Sequence, residues 1–331
     1  MTATFAVRKA TLAAPPSIGL ILHADDFGMN AAVTDGILRG FHDGLLTSTS
    51  ILANAPDADR AISLWTRLLA DFAAAALPST EIRRRLNDPA VPFDLGVHLN
   101  LTQGRPLSGN AYPRELLDRD GRFPGVFTLF RRLWRCRDAV LSKIREELSR
   151  QIEFALDHGV QPTHLNGHQY IEMLPAITSM LPELIERYRI GAIRVAEEPH
   201  LLRTTMLAGF APHTWAMARV KHHFARRFHS LIDRRGVRHA DCFHGTAHAG
   251  QINLRLVRQF ASLAREGQVI EIGLHPATAP DETSPGELAA GWRDPLARSR
   301  PDELRLLTSS ALVDLLADHK IQLGRLGSAD Y

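Results

Sequence analysis

Short apolar runs recur along the chain with longer stretches of helical periodicity between them. The runs are Ile18–His23, Thr47–Leu52, Phe93–Leu99, Pro162–Leu165, Ile190–Val195, Ala240–Phe243, Val269–Leu274 and Ile321–Leu326. Helical spacing covers Ala32–His42, Ala58–Ala76, Arg137–His158, Leu174–Tyr188, Leu254–Arg265 and Glu303–Asp318. Strand alternating with helix predicts a parallel sheet with right-handed crossovers. Eight candidate strands in one chain predict an α/β fold, an irregular (β/α) TIM-like barrel with long loops at its C-terminal face. No internal repeat, low-complexity linker or composition break divides it. Residues 1–17 read as an N-terminal extension and residues 18–331 as a single barrel domain.

Two insertions interrupt the alternation. One lies between the third and fourth strands and includes Gly104–Pro106, Pro113 and the Gly121–Gly125 turn cluster. The other runs from Glu197 to His239. Within it Trp215, Val220, Phe224, Phe228, Leu231 and Ile232 fall near three- and four-residue spacing among many Arg and His. Such a stripe ordinarily marks a lid or surface helix packed on the barrel. The sharper alternative is a basic amphipathic helix that touches lipid or a lipid-linked substrate. Both insertions follow strands, so both are expected to rise over the C-terminal face and wall a pocket.

Composition narrows the classes. With 331 residues, 45% hydrophobic and 23% charged, the chain can bury a sizeable core and is not disordered. A net charge of +3 is too balanced to indicate nucleic acid, and the basic character comes from arginine, since Lys9, Lys143, Lys221 and Lys320 are the only lysines. Cys136 and Cys242 cannot form a disulfide framework or a four-thiolate zinc site, which suits a reducing compartment. No apolar run reaches the ~18 residues needed to span a bilayer. Arg8 and Lys9 are followed by no unbroken apolar segment of the kind a secretory signal carries. A cytoplasmic location without stable membrane insertion is expected.

Four strings carry chemistry. In Leu22-His23-Ala24-Asp25-Asp26-Phe27-Gly28 an apolar strand ends on two adjacent carboxylates. These repel and are costly to bury, and a cation beside them removes the penalty. The bland reading is a helix cap by Asp26 or Asn30, but a cap needs only one such residue. In Gly96-Val97-His98-Leu99-Asn100-Leu101-Thr102 a histidine interrupts the third strand, and Pro162-Thr163-His164-Leu165-Asn166-Gly167-His168-Gln169 closes the fourth. A lone strand histidine is ordinarily a satisfied core residue. Here three strand ends converge on one rim, where one Asp and two His can share an ion. This reading gives the ligand role to His164 and a substrate-facing role to His168. The fourth string, Val269-Ile270-Glu271-Ile272-Gly273-Leu274-His275-Pro276, leaves His275 open between a fourth ligand, a general acid and a turn residue. Arg194, beside the fifth strand, binds a carboxylate or orients Asp25, unless it merely pairs with a surface acid.

Together the strings Ala24-Asp25-Asp26-Phe27-Gly28, Gly96–Thr102, Thr163–His168 and Leu274-His275-Pro276-Ala277 resemble the YdjC-like carbohydrate deacetylases, from about residue 18 to 310. That group includes chitooligosaccharide deacetylases and hopanoid-biosynthesis proteins. His23, Tyr170 and the Glu197–His239 insertion depart from its pattern. The resemblance implies an irregular (β/α) barrel and one divalent metal, Mg²⁺ or Zn²⁺, held by Asp26, His98 and His164. It implies Asp25 as base and His275 as acid; His168, Arg194 and Asn166 are expected near the substrate. The implied reaction is hydrolysis of the acetamide of an N-acetylated amino sugar, a linear amide C–N bond, by water activated at the metal. The implied substrate is a short N-acetylglucosamine saccharide or a glycolipid headgroup, and a homodimer is compatible with the resemblance. A non-catalytic sugar-binding protein on the same scaffold is the alternative, as is another metal-dependent barrel hydrolase. The first would need neither Asp25 nor His275, and the second would want a His-x-His pair on the first strand, which is absent.

Overall fold

The structure, a computed structural model, describes residues 18–73, 93–134, 136–199, 212–279 and 285–327. The expected N-terminal extension, residues 74–76 of the second predicted helix and residues 200–211 of the second insertion lie outside the described residues, as does the Trp215 side chain.

Eight strands form one parallel sheet: β1 (Ile18–Phe27), β2 (Ser48–Ile51), β3 (Asp94–Leu99), β4 (His164–Gly167), β5 (Ala192–Ile193), β6 (Cys242–His244), β7 (Val269–Leu274) and β8 (Ile321–Leu323). All eight overlap the apolar runs, the fourth only at His164 and Leu165. The order is β5-β4-β3-β2-β1-β7-β6. β1 pairs with β7 along one edge through Gly19–Ala24. Along the other edge it pairs with β8 low down, at Ile18–Leu20, and with β2 higher up, from His23. A regular barrel would seat its eighth strand between the seventh and the first, so this displacement is the irregularity. The two ends of the curled sheet meet through one bridge, Ala192 with Arg238, supported by Phe243 N donating to the Glu197 carbonyl at 3.2 Å. β1 is buried from Leu20 to Phe27, as expected of a central parallel strand covered on both faces.

Helices α1 (Ala31–His42), α2 (Ala58–Ala73), α3 (Val126–Leu133), α4 (Asp138–Asp157), α5 (Pro175–Thr178), α6 (Leu181–Tyr188), α7 (Pro212–Arg235), α8 (Leu254–Leu263), α9 (Pro285–Ala290), α10 (Arg300–Leu307) and α11 (Ser310–Asp318) surround it. Two predicted helices are split. Pro182 starts α6 anew, since its ring suits a first turn and not a helix interior. Ser309 accepts from Leu312 N at 3.3 Å and caps α11. α3 was not foreseen, because eight residues carry too little periodicity. The stripe on α7 packs on the barrel through Ala225, Phe228 and Ile232, while Val220 remains 52% exposed. Among the described residues no helix is long and apolar enough to cross a membrane.

Candidate metal centre and active site

The site begins with a bulge in β1. Between the pairs Ala24–Thr49 and Phe27–Ile51, two residues, Asp25 and Asp26, stand opposite one, Ser50. In a regular strand consecutive side chains face opposite ways. The bulge, with Asp26 at φ 71°, lets both carboxylates line the same cavity. Asn30, not Asp26, caps α1, accepting from Val33 N at 2.9 Å. The carboxylates are therefore free of the capping duty.

Asp26, His98 and His168 bring three donor atoms within 4.8 Å of one another, all from buried residues. Asp26 Oδ1 lies 3.0 Å from His168 Nδ1 and 3.5 Å from His98 Nε2. Neither ring is aligned to donate to it, and this buried oxygen has no hydrogen bond. His98 Nδ1 is engaged by Asn166 Oδ1 at 2.9 Å, an acceptor, so it carries the proton and leaves Nε2 a lone pair facing Asp26.

His164, assigned by the sequence as the third ligand, is not in this cluster. Its Nε2 meets His23 Nε2 at 2.8 Å and its Nδ1 meets Thr163 Oγ1 at 2.9 Å, below the rim. Gly96 makes this seat possible: a Cβ there would come within 2.4 Å of the His164 ring. The fourth strand runs on to Gly167, so His168 arrives at the mouth where His164 was expected. His168, read from the sequence as substrate-facing, thus stands in the donor cluster with Asp26 and His98.

Two residues assigned to substrate lie beneath it instead. Arg194 is fully buried and spent on Asp25 Oδ2 and Glu271 Oε1, each at 2.7 Å, with its guanidinium over Phe243. Asn166 is also fully buried, accepting from His98 and donating to Asp25 Oδ1 at 3.1 Å. Neither lines the cavity. Both hold other residues in place. His275 ends β7 as expected, with Nε2 3.8 Å from Asp25 Oδ2, and its backbone N is fixed by Glu303 at 2.5 Å.

No local signal marks Arg300, on α10, which reaches Asp26 Oδ2 at 2.7 Å and Asp294 at 2.6 Å. His23, a departure from the family pattern, places its Nδ1 3.0 Å from Asp25 Oδ1. The Gln103 side-chain amide lies 3.0 Å from His168 Nε2, and its Oε1 receives Arg293 N.

The charges favour a cation. Burial would raise both carboxyls, but Arg194 holds Asp25 and Arg300 holds Asp26 well below the ordinary carboxylate range. Four carboxylates, Asp25, Asp26, Glu271 and Asp294, meet two guanidiniums, Arg194 and Arg300. Asp25 and Asp26 thus stay ionised beside two imidazoles, a donor set that suits a cation. Burial lowers His275 to about 4, so its ring is neutral at rest. Residues, orphaned oxygen and charge all fit a divalent metal.

The cavity above measures about 630 Å³. Asp25, Asp26, His98, His168 and His275 form its floor. Val126, Phe127 and Phe130 of α3, Met173 and Leu174, and Val220 and Phe224 of α7 form an apolar wall. The loop Gly104–Gly125 contributes none of the lining, contrary to expectation; the helix that follows it does.

The YdjC-like protein family matches residues 19–318. The chain belongs to this family. It is 30% identical over 326 residues to a carbohydrate deacetylase of Mus musculus, covering 95% of this chain and 96% of that one. A carbohydrate deacetylase of Geobacillus stearothermophilus is 29% identical over 305 residues, covering 92% and 94%. A solved structure of a putative cellobiose-phosphate cleavage protein from Enterococcus faecalis superimposes with a TM-score of 0.66 at 21% identity, covering 95% of this chain and all of that one. That likeness bears on the fold alone.

Proposed function

We propose that this YdjC-like protein is a metal-dependent carbohydrate N-deacetylase, with Asp26, His98 and His168 as the metal ligands. The observation that carries this reading is the orphaned Asp26 Oδ1 between two imidazoles, with Asp25 and His275 beside it. Two imidazoles and one carboxylate suit Zn²⁺ better than Mg²⁺, which prefers oxygen octahedra. When bound, the ion supplies Lewis acidity, acidifying water and polarising the acetamide carbonyl.

Asp25, kept ionised by Arg194 and aimed by His23 and Asn166, takes a proton from the attacking water. The water oxygen bonds the carbonyl carbon. His275 is neutral at rest and so cannot donate at once. It first receives the proton across the 3.8 Å from Asp25, then delivers it to the amine nitrogen as the C–N bond breaks. Acetate and a free amino sugar leave.

The wall favours a glycolipid headgroup over a free saccharide. Sugar hydroxyls laid against Val126, Phe130, Phe224 and Leu174 would lose their hydrogen bonds to water, whereas an acyl or polycyclic chain would gain by burial. Phe127, 69% exposed, and Val220 extend this surface to the mouth. Acetate release should be measured from N-acetylglucosamine dimer, trimer and an N-acetylglucosaminyl lipid in mixed micelles, at equal acetyl concentration and with or without chelator. The lipid-linked sugar should be preferred and chelator should abolish release. Chelator-insensitive release would remove the metal, and preference for free oligomers would remove the lipid.

A further inference from the structure

A second Asp/His/His group lies away from the cavity, at the C-terminal end of α7 and in the segment leading to β6. His229, Asp233 and His239 place three donor atoms within 4.8 Å of one another. His229 Nε2 is 3.4 Å from Asp233 Oδ2, and His239 Nε2 is 2.8 Å from Asp233 Oδ1. Neighbouring ligand atoms around a tetrahedral zinc, with bonds of about 2.0–2.1 Å, stand roughly 3.3 Å apart.

The donor and acceptor assignment decides what this arrangement needs. His239 Nδ1 is 2.8 Å from the Ala240 carbonyl, which can only accept, so Nδ1 carries the proton. His229 Nδ1 is 2.5 Å from the Glu197 carboxylate and carries the proton for the same reason. In neutral rings both Nε2 atoms are then bare lone pairs, and both face an acceptor-only carboxylate. Three acceptors that converge require either two added protons or one divalent cation. Metal-bound histidines are typically fixed through their other nitrogen by a carboxylate or a backbone carbonyl. Glu197 and Ala240 supply one of each.

Three further observations favour the cation. His229 and Asp233 are four apart on one helix face, so the pair is pre-set by the helix. The end of α7 carries the negative pole of its dipole, which attracts positive charge. Asp233, 58% exposed at its side chain, leaves the group open to an arriving ion. We infer that His229, Asp233 and His239 form a second divalent-metal site of the Zn²⁺ class, with a fourth position open to water.

Its place suggests a structural duty. Arg238, next to His239, makes the bridge to Ala192 that joins the two ends of the sheet, and Ile193 N donates to the Arg238 carbonyl at 2.9 Å. A metal here would tie α7 to the strand approach at that single bridge, with Glu197 held through His229.

The test uses the full chain with His98→Ala and His168→Ala, so that the cavity ligands cannot contribute, stripped with chelator and dialysed against Zn²⁺ alone. One zinc per chain is expected, together with a higher melting midpoint. Adding His229→Ala and His239→Ala should bring the count to zero and abolish the rise. Asp233→Asn, an exposed change that should not disturb folding, should weaken zinc binding at least tenfold in the same background. In the otherwise native chain reloaded with metal, His239→Ala should leave acetate release within twofold. No zinc on the cavity variant, or one zinc retained after the His229/His239 changes, would overturn the inference in favour of a doubly protonated ion-pair cluster.

Discussion

His98 and His164 sit on neighbouring strands, β3 and β4, yet electrostatics drive them in opposite directions. Burial opposes the charged form of both. At His98, Asp25 and Asp26 outweigh burial and raise the imidazole above its ordinary value. At His164, burial is reinforced by His23 and Arg194, and the imidazole is held well below it. The difference marks two layers. The rim layer of Asp25, Asp26, His98, His168 and His275 opens on the cavity and faces the carboxylates. The layer beneath, with His23, His164, Arg194 and Asn166, is sealed. It supports the rim through hydrogen bonds and ion pairs and lines none of the cavity. On the proposed reading, chemistry belongs to the first layer and alignment to the second.

The sharpest way to break this division is to compare two histidines four residues apart. His168→Ala should lose the metal and with it acetate release, exceeding the ~10–100-fold loss of metal affinity typical of an outlying partner. His164→Ala should retain one metal in the cavity and lose no more than roughly tenfold in turnover, because His23 alone still reaches Asp25. Metal content and acetate release on both variants decide the matter. If His164→Ala loses the metal and His168→Ala keeps it, the two layers must be exchanged.

That exchange is the point at which the sequence was least legible. Eight strands were readable because short apolar runs bounded by turn residues are a local signal. The convergence of Asp26 and His98 followed from their strand ends. Which of His164 and His168 reaches the rim depended on where β4 stops, and a one-turn difference in that position is beyond any periodicity argument. The available clue was Gly96, whose missing side chain leaves a seat for a ring inside the barrel. Arg194 could be read as a partner of Asp25 because it follows a strand. Arg300 could not, since it lies on a helix 274 residues from Asp26 in sequence and nothing local distinguishes this buried residue from the many surface arginines.

A smaller effect should come from within the rim. Asp25→Asn keeps the shape and removes the carboxylate that Arg194 holds ionised. It should retain the metal while turnover falls by about 10²–10⁴, the range for a lost general base. Near-normal turnover in a metal-loaded Asp25→Asn enzyme would transfer the proton-accepting role to His275 alone.

The smallest effect, on stability alone, should come from the sealed region under the His168–Met173 turn. Burial pushes Glu172 up to about 8, and neither of its oxygens has a hydrogen-bond partner. Since 8 lies above the ordinary value of 4.5, the folded protein holds one more proton than the unfolded chain between those limits. The stability this contributes is fully present below pH 4.5 and is lost as pH rises through about 8. The loss between pH 5 and 9 should be on the order of a few kcal/mol. Glu303 at about 7 and Asp94 at about 6 slope the same way, while His23 and His275, lowered to about 4, cost stability in acid instead. Comparing the wild type with Glu172→Gln cancels those terms. The amide cannot ionise, so the variant should show a shallower decline in its urea midpoint from pH 5 to pH 8, with little change in acetate release at pH 7. Parallel declines in the two proteins would mean that Glu172 reaches water or finds a partner, and the layer beneath the rim would not be sealed there.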